Sequence, residues 1–293
     1  MLRLCGIVLM KGLIAMDIYY DYYSEKNDFD YSHGTDSNPD KSDFRLHNHN
    51  DSCEIIVFLK GNCEFRAEGS RYELNPCDII ITHSTEMHIM FHKSPVKAYE
   101  RAVFHIKKSF FYENNCEEFL DFFTKRPLGK NNIIPVKLVN ERKILGIIED
   151  IDNYIKENDS MIYTAVKSKL MELLYNLNRI TLRSEEFSFS NDKINDIILY
   201  INDNISTDLS LEKIAEHFYI SKYHLCHIFK EHTGLTINKY INYKRILMVR
   251  ELALSGWSLI DASMEAGFGN YSNFYKIYVK ETGKSPKEDL KNR

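Results

Sequence analysis

The last third of the chain is written twice. An offset of 49 positions carries Ser221 onto Asn270, Leu225 onto Phe274, Ile228 onto Ile277, Phe229 onto Tyr278, Thr233 onto Thr282 and Gly234 onto Gly283. Each copy opens with a small polar residue suited to an N-cap, continues as an apolar stripe at helical spacing, and closes with Thr-Gly. A second short amphipathic segment precedes each cap: Leu211, Ile214 and Ala215 in the first copy, Leu259, Ala262 and Ser263 in the second. Two short helices joined by a tight turn form a helix-turn-helix. Two of these in tandem have the layout of a protein that enters successive DNA major grooves.

Charge distribution supports that reading. The whole chain carries a formal −4, which taken alone argues against a nucleic-acid partner. From Lys222 to Arg293, however, 12 Lys and Arg stand against 7 Asp and Glu, a net +5, so the remainder carries −9. A basic end on an acidic protein is the asymmetry expected when one domain meets phosphate. In the first copy the stripe leaves Lys222, Tyr223, Cys226, His227 and Lys230 on the outer side. In the second copy it leaves Tyr271, Ser272, Asn273 and Lys276. Asn addresses adenine, Lys and protonated His address guanine or phosphate, and Tyr packs on a thymine methyl or a sugar. Between the copies a helix over 242–254 carries Lys244, Arg245 and Arg250 and sets the spacing of the two readers. The alternative, a helical bundle with merely solvated outer faces, does not account for the repeat, the caps and the local charge together.

Residues 209–286 resemble the DNA-binding domain of the AraC/XylS family of bacterial transcription regulators. The resemblance rests on LSLEKIAEHFYISKYHLCHIFKEHTGLTINKYINYKR and GFGNYSNFYKIYVKETGKSP. It implies that the second helix of each helix-turn-helix enters a major groove. The DNA-facing positions it implies are Lys222, Tyr223, Cys226 and His227, with Tyr271, Ser272, Asn273 and Lys276. It further implies promoter DNA and RNA polymerase as partners, and activation more often than repression. Four departures stand out. Tyr219 occupies a turn position where Gly is usual, an awkward residue if φ is positive there. Ala262-Ser263 replace Ile-Ala. Cys226 and His227 replace longer polar or basic side chains. Asp289-Leu290 replace an aromatic-Arg pair. Together they imply a normal fold with weaker or differently selective binding by the first copy.

The N-terminal part has a different texture. From Phe44 to about Ile106, short runs such as EIIVFLK, CEFRA, DIIIT and HIMFH are punctuated by Gly61, Gly69, Asn75-Pro76 and Ser94-Pro95. Closely spaced short strands predict a small barrel or jelly roll. Within it lies His47-x-His49-x4-Glu54-x6-Gly61, with His88 further on. Two His separated by one residue on a strand share a face. His47, His49, Glu54 and His88 can make a three-His, one-carboxylate set for Fe(II), Mn(II), Ni(II) or Zn(II). The pattern resembles the first cupin motif, and Asn75-Pro76-Cys77-Asp78 followed by His88 resembles a weakened second one, with Cys77 in place of Gly. Sensor cupins of AraC-type regulators share this pattern often without a metal. The resemblance therefore implies no resident cofactor and a small effector, commonly a sugar or related metabolite. On that reading His47, His49, Glu54, His88 and Arg101 hold effector hydroxyls. A plainer reading makes His47 and His49 polar residues that shape the barrel mouth. The rival function is an enzyme, a metal-dependent cupin dioxygenase or isomerase with a DNA-binding tail. The degraded second motif and the lack of a further acid–base pair weigh against it. His83 and His92 are expected at the surface, and Cys53, Cys63 and Cys77 as small buried hydrophobes.

The predicted fold class is α+β in two domains, a cupin-like β jelly roll with accessory helices and an all-α tandem helix-turn-helix. The expected boundaries are an N-terminal arm over 1–43, a barrel over 44–107, a helical connector or dimerisation region over 108–182, a linker over 183–191 and the DNA-binding domain over 192–293. In the connector, Ile144, Ile147, Ile148, Ile151 and Ile155 form one apolar stripe and Val166, Leu170, Leu173, Leu174 and Leu177 another. They either cover the barrel or pair with a second copy in a homodimer. The six cysteines form no C-x-x-C, which fits reduced cytosolic thiols. Residues 1–15 are apolar but broken by Lys11, too short to span a bilayer, and without a small-residue cleavage site. No membrane partner is expected, and Met16 is a second candidate start.

Overall fold

The computed structural model describes residues 16–37, 39, 47–49, 51–93, 98–181, 193–233 and 235–291. It divides into two units, Met1–Phe189 and Ser190–Arg293. The first unit begins with eight strands: β1 (Met16–Tyr23), β2 (Phe29–Asp36), β3 (Ser52–Lys60), β4 (Cys63–Ala67), β5 (Ser70–Glu73), β6 (Ile79–Thr82), β7 (His88–His92) and β8 (Tyr99–Lys107). Helices α1 (Lys108–Glu113) and α2 (Glu117–Thr124), the two-residue strand β9 (Ile133–Ile134) and helices α3 (Val136–Glu141), α4 (Ile144–Glu157) and α5 (Ile162–Thr181) follow. The strands form a six-stranded sheet, β1-β2-β8-β3-β6-β9, and a three-stranded sheet, β5-β4-β7.

The larger sheet is buried on both faces, which explains the unbroken apolar run in β3. Alternation sends Cys53, Ile55 and Val57 to one face, where they pack with Phe110, Phe111, Phe123 and the α4 and α5 stripes. Ile56 and Phe58 go to the other face and pack with Cys63, Phe65 and Met90 of the smaller sheet. Ile144, Ile147, Ile148 and Ile151, and Val166, Leu170, Leu173, Leu174 and Leu177, are all buried in the first of these cores. Of the two uses expected for these stripes, they serve to cover the sheet of their own chain. They are therefore not available to join a second copy.

The expected N-terminal arm needs correction. Residues 16–36 form β1 and β2, and β2 pairs with β8 from Phe29↔Ile106 to Asp36↔Tyr99. The strand is disguised in the sequence because only one of its faces is greasy. Phe29 and Tyr31 enter the helix-side core, while Asp30, Ser32, Gly34 and Asp36 alternate onto the face between the sheets. The polar stretch after Tyr23 is a hairpin turn. Ser24 Oγ accepts from the backbone of Asp28 (3.0 Å) and Phe29 (3.2 Å), and Asn27 takes φ +54°. Most of 37–46 and the expected linker over 183–191 lie outside the described residues.

A buried carboxylate holds the loop after α2 in place. Glu86 is fully buried and forms a buried ion pair with Arg126. It also accepts from Asn132 Nδ2 (3.0 Å), the His83 backbone (3.0 Å) and the Gly129 backbone. Gly129 takes φ +71°, and a Cβ there would lie 2.6 Å from the Ala67 carbonyl oxygen, so only glycine fits. Among the described residues no helix is long and apolar enough to cross a membrane.

The second unit holds α6 (Lys193–Asp203), α7 (Leu211–His217), α8 (Lys222–Thr233), α9 (Ile237–Leu254), α10 (Leu259–Glu265), α11 (Tyr271–Thr282) and α12 (Pro286–Lys291). The caps read from the repeat are in place. Ser221 Oγ accepts from the His224 backbone (3.1 Å) and Asn270 Oδ1 from the Asn273 backbone (2.8 Å). Gly283 ends α11 at φ +72°. The helix between the copies starts at Ile237 rather than near 242, because Thr236 caps it. Ala262 and Ser263 are both fully buried, and Ser263 satisfies its hydroxyl on the Ile260 carbonyl (2.8 Å). The Asp289 departure also finds a role. Asp289 accepts from Arg250 and from Tyr278 Oη (2.6 Å), fastening α12 to α9 and α11.

One polar tie crosses from the larger sheet to its helical cover. Asp152 on α4 accepts from Tyr31 Oη (2.6 Å) and pairs with His33 Nδ1 (2.8 Å), and Glu100 lies 3.5 Å from His33 Nε2. Burial opposes the charged imidazole, but Asp152 and Glu100 outweigh it and raise the His33 pKa. A histidine pKa raised on folding gives stability that is complete below the unfolded value, about 6.5. That stability is lost as pH rises through the higher folded value. Urea unfolding of the full chain should therefore show stability falling over that interval, and His33→Asn should flatten the slope. Asp152→Ala should cost about 2–3 kcal/mol at pH 6, because two donors lose a charged acceptor.

Candidate functional site

Strand register builds the first candidate site. Glu54 on β3 lies opposite His105 on β8 and Thr82 on β6, and His105 lies opposite Asp30 on β2. Asp30, His105, Glu54 and Thr82 thus form a row across four neighbouring strands, on the face that looks toward the smaller sheet. Histidines converge on this row from the other side. His88 opens β7, and His47 pairs with it through two backbone hydrogen bonds of 3.0 and 2.9 Å. Glu54 Oε1 lies 3.2 Å from His49 Nε2 and 3.3 Å from His105 Nε2, and Oε2 lies 3.1 Å from His88 Nε2. Thr82 Oγ1 adds a donor at 3.3 Å. His47 is exposed, His49 half-buried and His88 buried, so the cluster runs from the surface inward.

The electrostatics follow from one carboxylate among three imidazoles. Burial alone would push the Glu54 carboxyl up, but His49, His105 and His88 hold it well below the usual carboxylate range. His105 loses to burial and gains more from Asp30 (2.8 Å) and Glu54, which lift it to about 10. Burial pulls His49 down despite Glu54, with His105 and His88 adding like-charge repulsion. His88 is lifted by Glu54 and by the Glu86 carbonyl against the pull of burial.

The His88 ring is oriented by that carbonyl. Nδ1 lies 2.8 Å from Glu86 O, an acceptor only, so Nδ1 carries the proton and Nε2 is turned toward Glu54. The Nε2 atoms of His49 and His88 are buried, with Glu54 as their ion-pair partner at 3.2 and 3.1 Å. His47, His49 and His88 each bring a ligand atom within 4.8 Å of the others, and His49, Glu54 and His105 make a second such group. Three imidazoles, one with its tautomer fixed by a backbone carbonyl, and a carboxylate suit a borderline divalent cation. The residues present fit that ion.

Four of the five expected ligand residues come together here: His47, His49, Glu54 and His88. Arg101 does not join them. It lies on β8 four residues before His105, about 13 Å along the strand, with its guanidinium 4.8 Å from the Tyr99 ring. His105 and Asp30 are members that sequence reasoning missed. The signal for His105 was available in YERAVFHIK, where Arg101, Val103 and His105 alternate on one face. His83 and His92, expected at the surface, are half-buried. His83 pairs with Thr85 Oγ1 (2.8 Å), and His92 lies 3.2 Å from Cys63 Sγ. Cys53 and Cys63 are buried, while Cys77 is half-buried at φ +73°, the backbone region that explains why glycine is usual there.

The second candidate site is the pair of helices α8 and α11. Lys222, Tyr223, Cys226 and His227 are exposed on α8, as are Ser272, Asn273 and Lys276 on α11. Tyr271 is only half-exposed, because its ring packs on Phe274 (5.6 Å). Lys222 Nζ meets Glu212 at 2.7 Å, an exposed and solvent-screened pair readily exchanged for a phosphate. His224 and Tyr275 are also exposed and were not singled out from the sequence. Arg245 is committed to the fold. Its Nε and Nη2 donate to the carbonyls of Ile205 (3.0 Å) and Thr207 (2.6 Å), bracing the turn between α6 and α7 on α9.

Comparison with known proteins finds a matching domain in each unit. Residues 31–103 match the AraC-like ligand binding domain and residues 214–292 match a helix-turn-helix domain. The HTH-type transcriptional activator RhaS of Salmonella typhimurium is 29% identical over 157 residues, 52% of this chain and 54% of the relative. The chain thus spans about half the length of the curated relatives it matches. Among solved structures, ToxT from Vibrio cholerae is 16% identical with a TM-score of 0.36, covering 94% of this chain and 96% of its own. The C-terminal domain of AraT from Geobacillus stearothermophilus is 25% identical with a TM-score of 0.33, covering 33% and 83%. With one domain of each kind in its two units, the chain belongs to the AraC family.

Proposed function

We propose that the chain is a sequence-specific DNA-binding transcription regulator whose DNA engagement is set by a small effector at the Glu54 cluster. The observation that carries this reading is the pair α8 and α11, equivalent in sequence, capped alike, and each presenting an exposed polar face. Helix N-termini supply backbone N–H groups for phosphates, and the side chains behind them meet base edges. Lys222, Tyr223, Cys226 and His227 serve one half-site; Tyr271, Ser272, Asn273 and Lys276 serve the next. The curated relatives are described as activators, and activation through RNA polymerase by a homodimer is the corresponding proposal for this chain. Effector control needs unequal affinity for two states of the protein. The proposed function assigns no reaction to the cluster.

The effector contacts in this reading come from His47, His49, Glu54 and His88, with His105 added. Their donors and acceptors suit a hydroxyl-rich small molecule such as a sugar. A second reading, a divalent transition metal as the occupant, is favoured by the convergence of His47, His49 and His88, whose ring nitrogens lie within 4.8 Å of one another. His47, His49, His88 and Glu54 would hold it, and the ion would supply the positive charge that their lone pairs and carboxylate face.

For the DNA half, the full-length protein is footprinted on its own genomic DNA. Protection of two adjacent major grooves on one face is expected. Asn273→Ala and Lys276→Ala should each weaken specific binding by about 1–3 kcal/mol while leaving thermal stability unchanged. Lys276→Ala should also lower the salt slope by about 0.9 if it meets a phosphate. Unchanged footprints for both variants would remove α11 from the interface.

For the sensor half, protein freed of metal with a chelator is titrated separately with Zn(II), Ni(II) and a panel of monosaccharides. An occupant at 100 times its Kd adds about 2.7 kcal/mol of stability. A rise in Tm with a metal ion, lost in His88→Ala, selects the metal reading; a rise with a sugar selects the hydroxyl reading. No rise with either would leave the cluster a structural element only.

A further inference from the structure

The two helix-turn-helix copies close their first helices in the same way but with opposite residue choices. At the end of α7, the Ile220 N–H donates to the Ala215 carbonyl (3.0 Å); at the end of α10, the Phe268 N–H donates to the Ser263 carbonyl (3.1 Å). Each is the six-residue closure that places the preceding residue in the left-handed region, where glycine is favoured. In the second copy that residue is Gly267, at φ +84°. In the first it is Tyr219, at φ +54°. A bulky side chain in this region is a genuine outlier, and such strain persists where something else compensates it.

Beyond the backbone hydrogen bonds of the turn, no side-chain contact among the described residues supplies that compensation. Tyr219 is 94% exposed, the most exposed large hydrophobic side chain in the described structure. Among the described residues its hydroxyl makes no hydrogen bond and its ring no aromatic contact. Its surroundings are those of the proposed DNA surface. Tyr223, in the first turn of α8, is 84% exposed, and its ring lies parallel to that of His227 at 6.4 Å. Tyr223 and His227, four residues apart, follow one line along the exposed face of α8, and Tyr219 sits in the turn three residues before that helix begins. Lys222 lies beside that line, and the chain from Lys222 onward carries a net positive charge.

From this we infer that Tyr219 is a DNA-contacting residue of the first reader, packing its ring on a deoxyribose and donating its hydroxyl to a backbone phosphate beside the groove that α8 enters. The inference rests on the DNA-binding reading given above. The chemistry fits the side chain: a rigid apolar body with a polar tip loses little rotamer entropy on binding. A neutral hydroxyl meets a phosphate without releasing a counterion, so it adds affinity without adding to the salt slope.

The test uses full-length protein and a duplex it selects from a randomised pool. Tyr219→Gly relieves the backbone and should raise Tm by about 2–4 °C, yet should weaken binding to that duplex about tenfold with the salt slope unchanged. Tyr219→Asn, a residue that also tolerates positive φ, should bind as weakly as Tyr219→Gly. Tyr219→Phe should keep the wild-type Tm and lose only the hydroxyl share of the affinity. Equal or tighter binding by Tyr219→Gly would overturn the inference, leaving a strained turn with no return. Full affinity in Tyr219→Asn with loss in Tyr219→Gly would also overturn it, since turn rigidity rather than the ring would then be the cause. If no duplex is selected, the DNA-binding reading fails first and this inference falls with it; if one is selected, Asn273→Ala and Lys276→Ala test the second reader separately. Loss confined to the Tyr219 variants' ring, with those two variants also impaired, supports both.

Discussion

A carboxylate taken out of water must be compensated, and the compensation of Glu54 organises one end of the strand-rich unit. Its two oxygens face three imidazoles within 3.3 Å. Those imidazoles come from β8, from β7 and from the segment that precedes β3. Removing an ion from water costs several kcal/mol unless its partners are close and well oriented. The partners here are themselves fixed, His105 by Asp30 and His88 by the Glu86 carbonyl. Glu86 in turn is gripped by Arg126, Asn132 and the Gly129 backbone. A chain of charge compensation therefore runs from the β2 strand through the cluster to the loop after α2.

The same chain of contacts explains what the sequence showed and what it concealed. Periodicity announces the tandem helices because one helix face can be read without knowing its neighbour. The caps at Ser221 and Asn270 are local signals of the same kind. The strands β3, β4, β6 and β7 stood out through their apolar runs. β2 did not, because its inward face carries Asp30, Ser32, Gly34 and Asp36, which read as a polar loop until β8 is set beside it. His105 was hidden for a related reason. Its partnership with Glu54 is a matter of register between two strands far apart in sequence, and register is fixed by the assembled sheet. Arg101 was misplaced by the same gap: it shares a strand face with His105 but lies too far along the strand to reach Glu54.

Basic residues of the helical unit divide by role in a way that composition cannot show. Arg245 and Arg250 contribute to the positive charge, yet both are spent on the fold, one on carbonyls in the turn between α6 and α7 and the other on Tyr278 and Asp289. Asp289 is a departure from the family pattern that the packing accounts for, as it supplies the acceptor those donors require. Lys222 and Lys276 remain at the surface, on the helices the repeat had marked.

The glycine in the second turn has a consequence for how the two readers change over time. A Cβ on Gly267 would lie 2.9 Å from the Ser206 carbonyl oxygen and 3.0 Å from Arg245 Nη2, so the turn is sealed against the framework around it. The corresponding turn of the first copy is open and already holds a tyrosine. Duplicated elements are usually free to drift to the same degree. Here one copy has room for a side chain at that corner, at a cost in backbone strain, and the other has none, so novelty in sequence preference has an easier entrance through the first half-site than through the second.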